Sequence, residues 1–399
     1  MEFHFSERML TLKPSVIREI LKSVTPDMIA FAAGNPSTDT FPIEEMGQIA
    51  NELFADKTRI ASILQYGVSE GYQPLRESCF ARMRGKYQTG ADFDELIITS
   101  GGQQAIDLLS KAMLDPGDTV IVEGPSFIGS LNTFRTYQAN LVAAPMQPDG
   151  MDLDVLENLL KTEKNVKFIY IISTFQNPSG YTTSLEKRHA ILELARRYDV
   201  LILEDNPYFE LRYEGEYVPN IKSLDKEGRV VYAGSYSKIL SAGIRLGFAI
   251  GHRDLISKMV IGKQASDVHT NLFFQVVAAE YMNRFDLDAH IEKARGIYRE
   301  KRDLMLSCLG AKLPDCVTFS RPQGGLFVWM DLPAGSDGKD LAALTVKQKV
   351  SIIPGNCFMV DDAKVNSGVR LNFSMPSKAQ IEKGTDILAA CVKEYLGRK

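Results

Sequence analysis

The sequence predicts an α/β fold: a large domain with a mostly parallel sheet covered by helices, and a smaller α+β domain assembled from the N- and C-terminal segments. Three observations predict it. Short β-branched runs alternate with amphipathic stretches from about residue 95 to 251. Those runs are almost continuously apolar, which is how strands buried on both faces read. A charged stretch at helical spacing, 281–313, then leads into a second unit, 314–399, with strand-like runs of its own.

The elements follow in chain order. Residues 1–45 carry a short helical pattern at 14–23 and then Phe-Ala-Ala-Gly-Asn-Pro at 31–36. They are too few to fold alone and are expected to pack on the C-terminal unit. The large domain is read as 46–285, with strands at 96–99, 119–123, 166–173, 200–204, 229–233 and 246–250 and helices at 103–114, 152–161 and 184–198. Strands separated by helices form a parallel sheet covered on both faces, and ligands bind beyond the carboxyl ends of such strands. The stretch 281–313 reads as one long exposed helix, and the small domain is read as 286–399. It contains Gly-Gly-Leu-Phe-Val-Trp-Met-Asp-Leu (324–332), Ser-Ile-Ile-Pro-Gly (351–355) and Val-Arg-Leu-Asn-Phe-Ser (369–374). No internal repeat or low-complexity tract interrupts the chain.

Composition narrows the function classes. The 399 residues are 45% hydrophobic and 24% charged, with a formal net charge of −4. That is ordinary globular composition, with no basic excess for nucleic acid or an anionic membrane surface. The cysteines at 79, 308, 316, 357 and 391 are widely spaced and form no Cys-x-x-Cys pair. This argues against a disulfide framework or zinc ribbon and for a reducing compartment. The N-terminus lacks a basic segment followed by an apolar one, and no run approaches the roughly 18 apolar residues of a membrane span. A soluble cytoplasmic protein is expected. The histidines at 4, 189, 252, 269 and 290 have no ligand spacing, so no metal site is expected.

The chemistry concentrates around Lys238. The apolar run 230–233 delivers it into Gly-Ser-Tyr-Ser-Lys-Ile-Leu-Ser-Ala-Gly-Ile-Arg-Leu-Gly-Phe (234–248), with Arg245 seven positions on. A lysine there is poorly placed for solvent and well placed to hold an aldehyde as a Schiff base. Ser100-Gly101-Gly102-Gln103-Gln104 follows a strand and opens a helix, serving either as a tight turn or as an anion cradle of backbone N–H groups. Asn177, in Gln-Asn-Pro-Ser-Gly, is either an ordinary turn residue or a fixed donor at a strand end. Asp205 directly follows Val-Leu-Ile-Leu-Glu, and a carboxylate there needs a partner. That partner is a structural salt-bridge cation, a metal ion (disfavoured, because no histidine lies near) or a protonated pyridine nitrogen. Arg370 lies in a short apolar run, where its fork fits a buried carboxylate or that of a substrate. Asn177, Asp205, Ser235, Lys238 and Arg245 follow successive strands of one sheet, so they converge on one end of it.

In this order the residues resemble the fold-type I pyridoxal-phosphate enzymes, and within them the class I/II aminotransferases. The branch looks like the one that holds 2-aminoadipate and kynurenine aminotransferases and the enzyme-like domains of MocR-type regulators. The resemblance runs from Pro14-Ser15-Val16-Ile17-Arg18 through Tyr66-Gly67…Gly71…Leu75-Arg76 to Val369-Arg370-Leu371. It implies a pyridoxal 5'-phosphate cofactor attached to Lys238, which then moves the proton between Cα and the cofactor. It implies Asp205 at the ring nitrogen, and Asn177 and Tyr208 at the phenolic oxygen. Gly102, Gln103, Ser235, Ser237 and Arg245 would hold the phosphate, and Phe127 would stack on the ring. Tyr66 would reach the phosphate of the neighbouring subunit, making a homodimer with shared sites. Arg370 would clamp the substrate α-carboxylate under the Gly34-Asn35 backbone. Arg18 would either read a distal carboxylate or be a solvated helix charge.

The sequence departs from the family pattern at Gly102, where many relatives carry a hydroxyl, at Ala242, where proline is common, and at Phe127, where tyrosine is frequent. The implied reaction moves an amino group between an L-amino acid and a 2-oxo acid, with 2-oxoglutarate/glutamate as one pair. A pyridoxal-phosphate Cα–β lyase is the alternative on the same fold. A DNA-binding regulator is disfavoured: 99 residues precede the Ser-Gly-Gly motif, enzyme-like elements fill them, and no basic stretch is present.

Overall fold

The computed structural model describes every residue except 2, 11, 13–24, 26 and 399. The expected helix 14–23 and Arg18 lie outside the described residues. Fourteen strands are described in order: β1 (Ile29–Ala30), β2 (Asp94–Thr99), β3 (Thr119–Gly124), β4 (Asn140–Gln147), β5 (Gly150–Met151), β6 (Val166–Ile171), β7 (Leu201–Asp205), β8 (Val230–Ser235), β9 (Gly247–His252), β10 (Thr318–Phe319), β11 (Phe327–Asp331), β12 (Val350–Ser351), β13 (Ile353–Pro354) and β14 (Gly368–Asn372).

The large sheet has the order β2-β9-β8-β7-β6-β3-β4-β5. Strands β8, β7, β6, β3 and β4 are mutually parallel. Strand β9 runs antiparallel to both β8 and β2, and β5 antiparallel to β4. The central strands are apolar on both faces because helices cover both: Val120, Ile121, Val122, Phe168, Ile169, Ile202 and Leu203 are fully buried. Strand β4 escapes a sequence reading because only Ala144 along it is buried. A strand near the sheet margin lacks the continuous apolar signature.

The expected single helix over 281–313 is two helices, Leu272–Arg284 and Leu287–Lys312. The break falls at Phe285-Asp286, where the Asp286 carboxylate caps the second helix by accepting from the Ala289 N–H. Nor is the second helix simply exposed. Leu287, Ile291, Ala294, Tyr298, Met305 and Leu309 form a buried stripe beneath its charged face. Abundant charge on the other positions hides that stripe in the sequence.

A smaller antiparallel sheet has the order β10-β11-β14-β13. Strand β1 pairs in parallel with β12, Ile29 opposite Val350. The Asn372 N–H donates to the Phe31 carbonyl, which brings the 31–35 segment beside β14. Phe31 and Phe373 are fully buried in the shared core. The carboxyl ends of β6, β7 and β8 open toward this junction.

Candidate active site

A cavity of about 450 Å³ lies at the carboxyl ends of the parallel strands and is walled on one side by Gly34, Asn35, Phe327 and Arg370. Lys238 enters it three residues past the end of β8. Its Nζ donates to the Gly34 carbonyl at 2.7 Å and stands 6.0 Å from the Tyr208 ring centre. Burial, and then the nearby Arg370 and Arg245 charges, lower its pKa to about 8.

Asp205 closes β7 and is buried. One carboxylate oxygen accepts from the Tyr170 hydroxyl at 2.7 Å, and burial lifts its pKa to about 7. Asn177 and Arg370 meet at 2.9 Å, the guanidinium donating to Oδ1, while Asn177 Nδ2 reaches Tyr208 Oη at 3.5 Å. Arg370 sits on β14 opposite Trp329 and Ile353, donates to the Ala32 carbonyl at 2.8 Å, and is sandwiched by the Phe327 and Phe358 rings at 4.3 and 5.1 Å. Its Nε is buried with no hydrogen-bond partner among the described residues, and burial lowers its pKa to about 10.

The loop between β2 and the helix Gly102–Met113 forms the opposite wall. Gly101 has φ +80°, and a Cβ there would stand 2.4 Å from the Arg245 guanidinium. Glycine is therefore required for that close approach. Among the described residues no side chain caps this helix, and its first two residues, Gly102 and Gln103, line the cavity. Arg245, itself at φ +53°, donates to the Ser100 carbonyl at 3.3 Å and to Ser237 Oγ at 3.4 Å. Ser235 Oγ accepts from the Ser237 N–H at 3.1 Å. The Ala242 carbonyl accepts from Arg245 at 3.4 Å.

Gln103 lines the cavity, but its side chain turns away and donates to Thr133 Oγ1 at 2.6 Å. Only its backbone is free for an anion. Asn35 lines the mouth and uses its carbonyl to accept from Ser374 Oγ at 2.6 Å. Phe127 lines the cavity at the start of the helix Ile128–Thr136. Tyr66 is 80% exposed, packs edge-on to His269 at 5.8 Å, and does not line this chain's cavity.

Three functional neighbours escape the motif reading. Gly129 is one: a Cβ there would stand 2.5 Å from the Phe127 ring and 2.7 Å from Gln103 Oε1, so its absence leaves room for both side chains. Glu123 is another. It stands at the penultimate position of the apolar strand β3, much as Asp205 ends β7, and that signal could have found it. It is fully buried, accepts from the Ile172 N–H and from Gln176 Nε2 at 3.1 Å each, and burial raises its pKa to about 8. Gln176 in turn accepts from the Ser179 N–H at 2.8 Å and so fixes the loop that carries Asn177. Tyr170 is the third, and in sequence it is indistinguishable from a core aromatic. Among the described residues no cluster of His, Cys, Asp and Glu could hold a metal ion.

The chain matches the family of class I and II aminotransferases over residues 26–388. It is 42% identical to aromatic-amino-acid aminotransferase 1 of Thermococcus litoralis, over 99% of this chain and 95% of that protein. Among solved structures, it superposes on the kynurenine aminotransferase of Pyrococcus horikoshii, determined with PMP, with a TM-score of 0.94 and 40% identity, covering 98% of this chain and 97% of that one. It also superposes on the alpha-aminoadipate aminotransferase of Thermus thermophilus, complexed with N-(5'-phosphopyridoxyl)-L-leucine, with a TM-score of 0.90 and 33% identity over 99% and 98% of the two chains. The chain belongs to the class I and II aminotransferases. It is a pyridoxal-phosphate-dependent enzyme that carries out transamination.

The residues present fit that cofactor. Asp205 is a buried carboxylate whose one hydrogen-bond donor among the described residues is a neutral phenol, so a protonated pyridine nitrogen would complete its pairing. The uncapped helix end, with Arg245 and two serines beside it, is the donor set a phosphate requires.

Proposed function

We propose that Lys238 carries the cofactor covalently and afterwards moves the proton at the substrate Cα. The single observation behind this reading is the convergence of Lys238, Asp205, Arg245 and Arg370 on one cavity. Asp205 pairs with the ring nitrogen, Asn177 and Tyr208 donate to the phenolic oxygen, and Phe127 stacks on the ring. The N–H groups of Gly102 and Gln103, the Ser235 and Ser237 hydroxyls, and Arg245 bind the phosphate. When bound, the cofactor supplies an aldehyde for the amino group and an electron-poor ring that weakens the Cα bonds. Arg370 receives the substrate α-carboxylate in its fork, with the Gly34-Asn35 backbone alongside.

A lysine with this environment captures the aldehyde as the free amine. The rate at which apoprotein captures pyridoxal phosphate should therefore rise with pH and level off above about 8, following the lowered pKa. Stopped-flow absorbance reads it. A rate still climbing toward about 10.4, the value of an ordinary lysine, would contradict the environment described here.

The substrate reading is an L-amino acid paired with 2-oxoglutarate. Ile106, Phe127, Ile128 and Phe327 wall the cavity and support a large apolar or aromatic side chain. The chain's similarity to an aromatic-amino-acid aminotransferase supports the same class. Arg18 is the candidate reader of a distal carboxylate on glutamate or 2-aminoadipate. A panel of amino donors against 2-oxoglutarate tests both points. The expected result is turnover of aromatic donors in wild type and a selective loss of dicarboxylic donors in Arg18→Ala. An equal effect on both classes would reject the role of Arg18.

The same reading makes the enzyme a homodimer with shared sites. Tyr66, Leu64, Val68 and Val268 are large apolar side chains exposed in the single chain, which supports an interface there. Mixing inactive Lys238→Ala with an impaired Tyr66→Ala variant should then restore activity. The hybrid dimer has one site with an intact lysine from one subunit and an intact tyrosine from the other. No gain on mixing, with subunit exchange verified, would refute sharing. No helix among the described residues is long and apolar enough to cross a membrane. We read the enzyme as cytoplasmic, a reading supported by five cysteines without a disulfide.

A further inference from the structure

We infer that Tyr170 is a positioning residue for transamination, working with Ser130 to fix the Asp205 carboxylate so that one oxygen is left for the cofactor ring. The inference rests on the reading of Asp205 given above. Tyr170 lies on β6, where it pairs with Leu203 of β7, two residues before Asp205. Its hydroxyl donates to Asp205 Oδ2 at 2.7 Å and accepts from Ser130 Oγ at 2.7 Å. Tyr170 and Ser130 are both fully buried.

This relay has a fixed sense. Ser130, on the helix Ile128–Thr136, donates its hydrogen bond to the Tyr170 oxygen, so the phenolic O–H points to Asp205. Among the described residues only Oδ2 of the carboxylate is engaged, and Oδ1 remains for a cation from the cavity that Asp205 lines. Tyr170 does not line the cavity, so it acts only through Asp205. The Phe134 ring packs edge-on to Tyr170 at 5.3 Å and holds the phenol in line. Without the phenol, a carboxylate in this apolar setting would lose its one hydrogen-bond donor. It would rotate or take up a proton, and its hold on a protonated ring nitrogen would weaken. Glu123 also lies within electrostatic reach of both Tyr170 and Asp205. Its burial favours the neutral acid, which avoids a second anion beside Asp205.

Tyr170→Phe removes one hydroxyl and keeps the ring. In the holoenzyme we expect kcat to fall about tenfold with the KM of the amino donor unchanged, because a hydrogen bond to a charged group is lost while Arg370 is untouched. Titration of the apoprotein with pyridoxal phosphate, read by tyrosine and tryptophan fluorescence, should show a dissociation constant raised several-fold. Ser130→Ala should shift both quantities the same way by a smaller factor, and it serves as the test if Tyr170→Phe does not fold. The decisive comparison is made in Asp205→Asn, where adding Tyr170→Phe should cost less than about twofold, since the phenol acts through the carboxylate. Wild-type kcat and cofactor affinity in Tyr170→Phe would overturn the inference while leaving the role of Asp205 standing. The same tenfold loss persisting in Asp205→Asn would also overturn it, by exposing a purely structural role. Full activity of Asp205→Asn alone would remove the reading of Asp205 and this inference with it.

Discussion

Lys238→Ala is expected to lower kcat by roughly 10,000-fold, the upper range for removing a group that transfers a proton in the rate-limiting step. Lys238 is the one lysine lining the cavity among the described residues, so no other amine stands ready to take over. The fold should not suffer. The Nζ makes a hydrogen bond to the Gly34 carbonyl and is depressed by burial and two arginines, so removing it relieves a buried cation without a carboxylate partner. Thermal unfolding of the apoprotein should be unchanged or slightly raised. Added methylamine should recover part of the lost rate, because a cavity of about 450 Å³ leaves room for a small amine where the side chain was. Activity within tenfold of wild type would contradict the assigned role.

Arg370→Lys should lower kcat/KM by roughly 100-fold, mostly through KM, within the range seen when one partner of a buried, hydrogen-bonded charge pair is altered. The substitution keeps the charge and removes the fork. Arg370 uses its two terminal nitrogens on Asn177 and the Ala32 carbonyl, and two aromatic rings hold its plane. A lysine ammonium can satisfy one of those acceptors but cannot present two parallel donors to a carboxylate. The expected signature is a raised KM for both the amino acid and the 2-oxo acid, since both carry the same α-carboxylate. A loss confined to one of the two substrates would argue that Arg370 reads a side chain instead.

Much of the site was legible because its charges are costly. Lys238, Asp205 and Arg370 each interrupt or end an apolar run, and burial of such groups demands a partner. Glu123 satisfies the same criterion and could have been read in the same way. Tyr170 could not, because a tyrosine inside Phe-Ile-Tyr-Ile looks like core until its hydroxyl is seen against Asp205. Gly129 is invisible for a different reason: the need for hydrogen at that Cα comes from Phe127 and Gln103, which reach it only after the chain has folded.

The fold divides along similar lines. The buried parallel strands announce themselves by composition, and β2, β3, β6, β7, β8 and β9 lie where the apolar runs lie. The margin of the sheet does not: β4 is mostly half-exposed and reads as irregular. The direction of β9 is also not a local property. Its residues read like those of a parallel strand, yet it runs against both neighbours. The pair of helices between 272 and 312 shows a third limit. Charge density marks the solvent face, while the break depends on the Asp286 cap, a signal of one residue.

Reduction of the holoenzyme with borohydride, followed by digestion and peptide mass spectrometry, reports which lysine holds the cofactor. A phosphopyridoxyl adduct confined to the peptide bearing Lys238, and prevented when glutamate first converts the cofactor to its amine form, is the expected result. An adduct on another lysine, or one on Lys238 that glutamate leaves unchanged, would contradict the account.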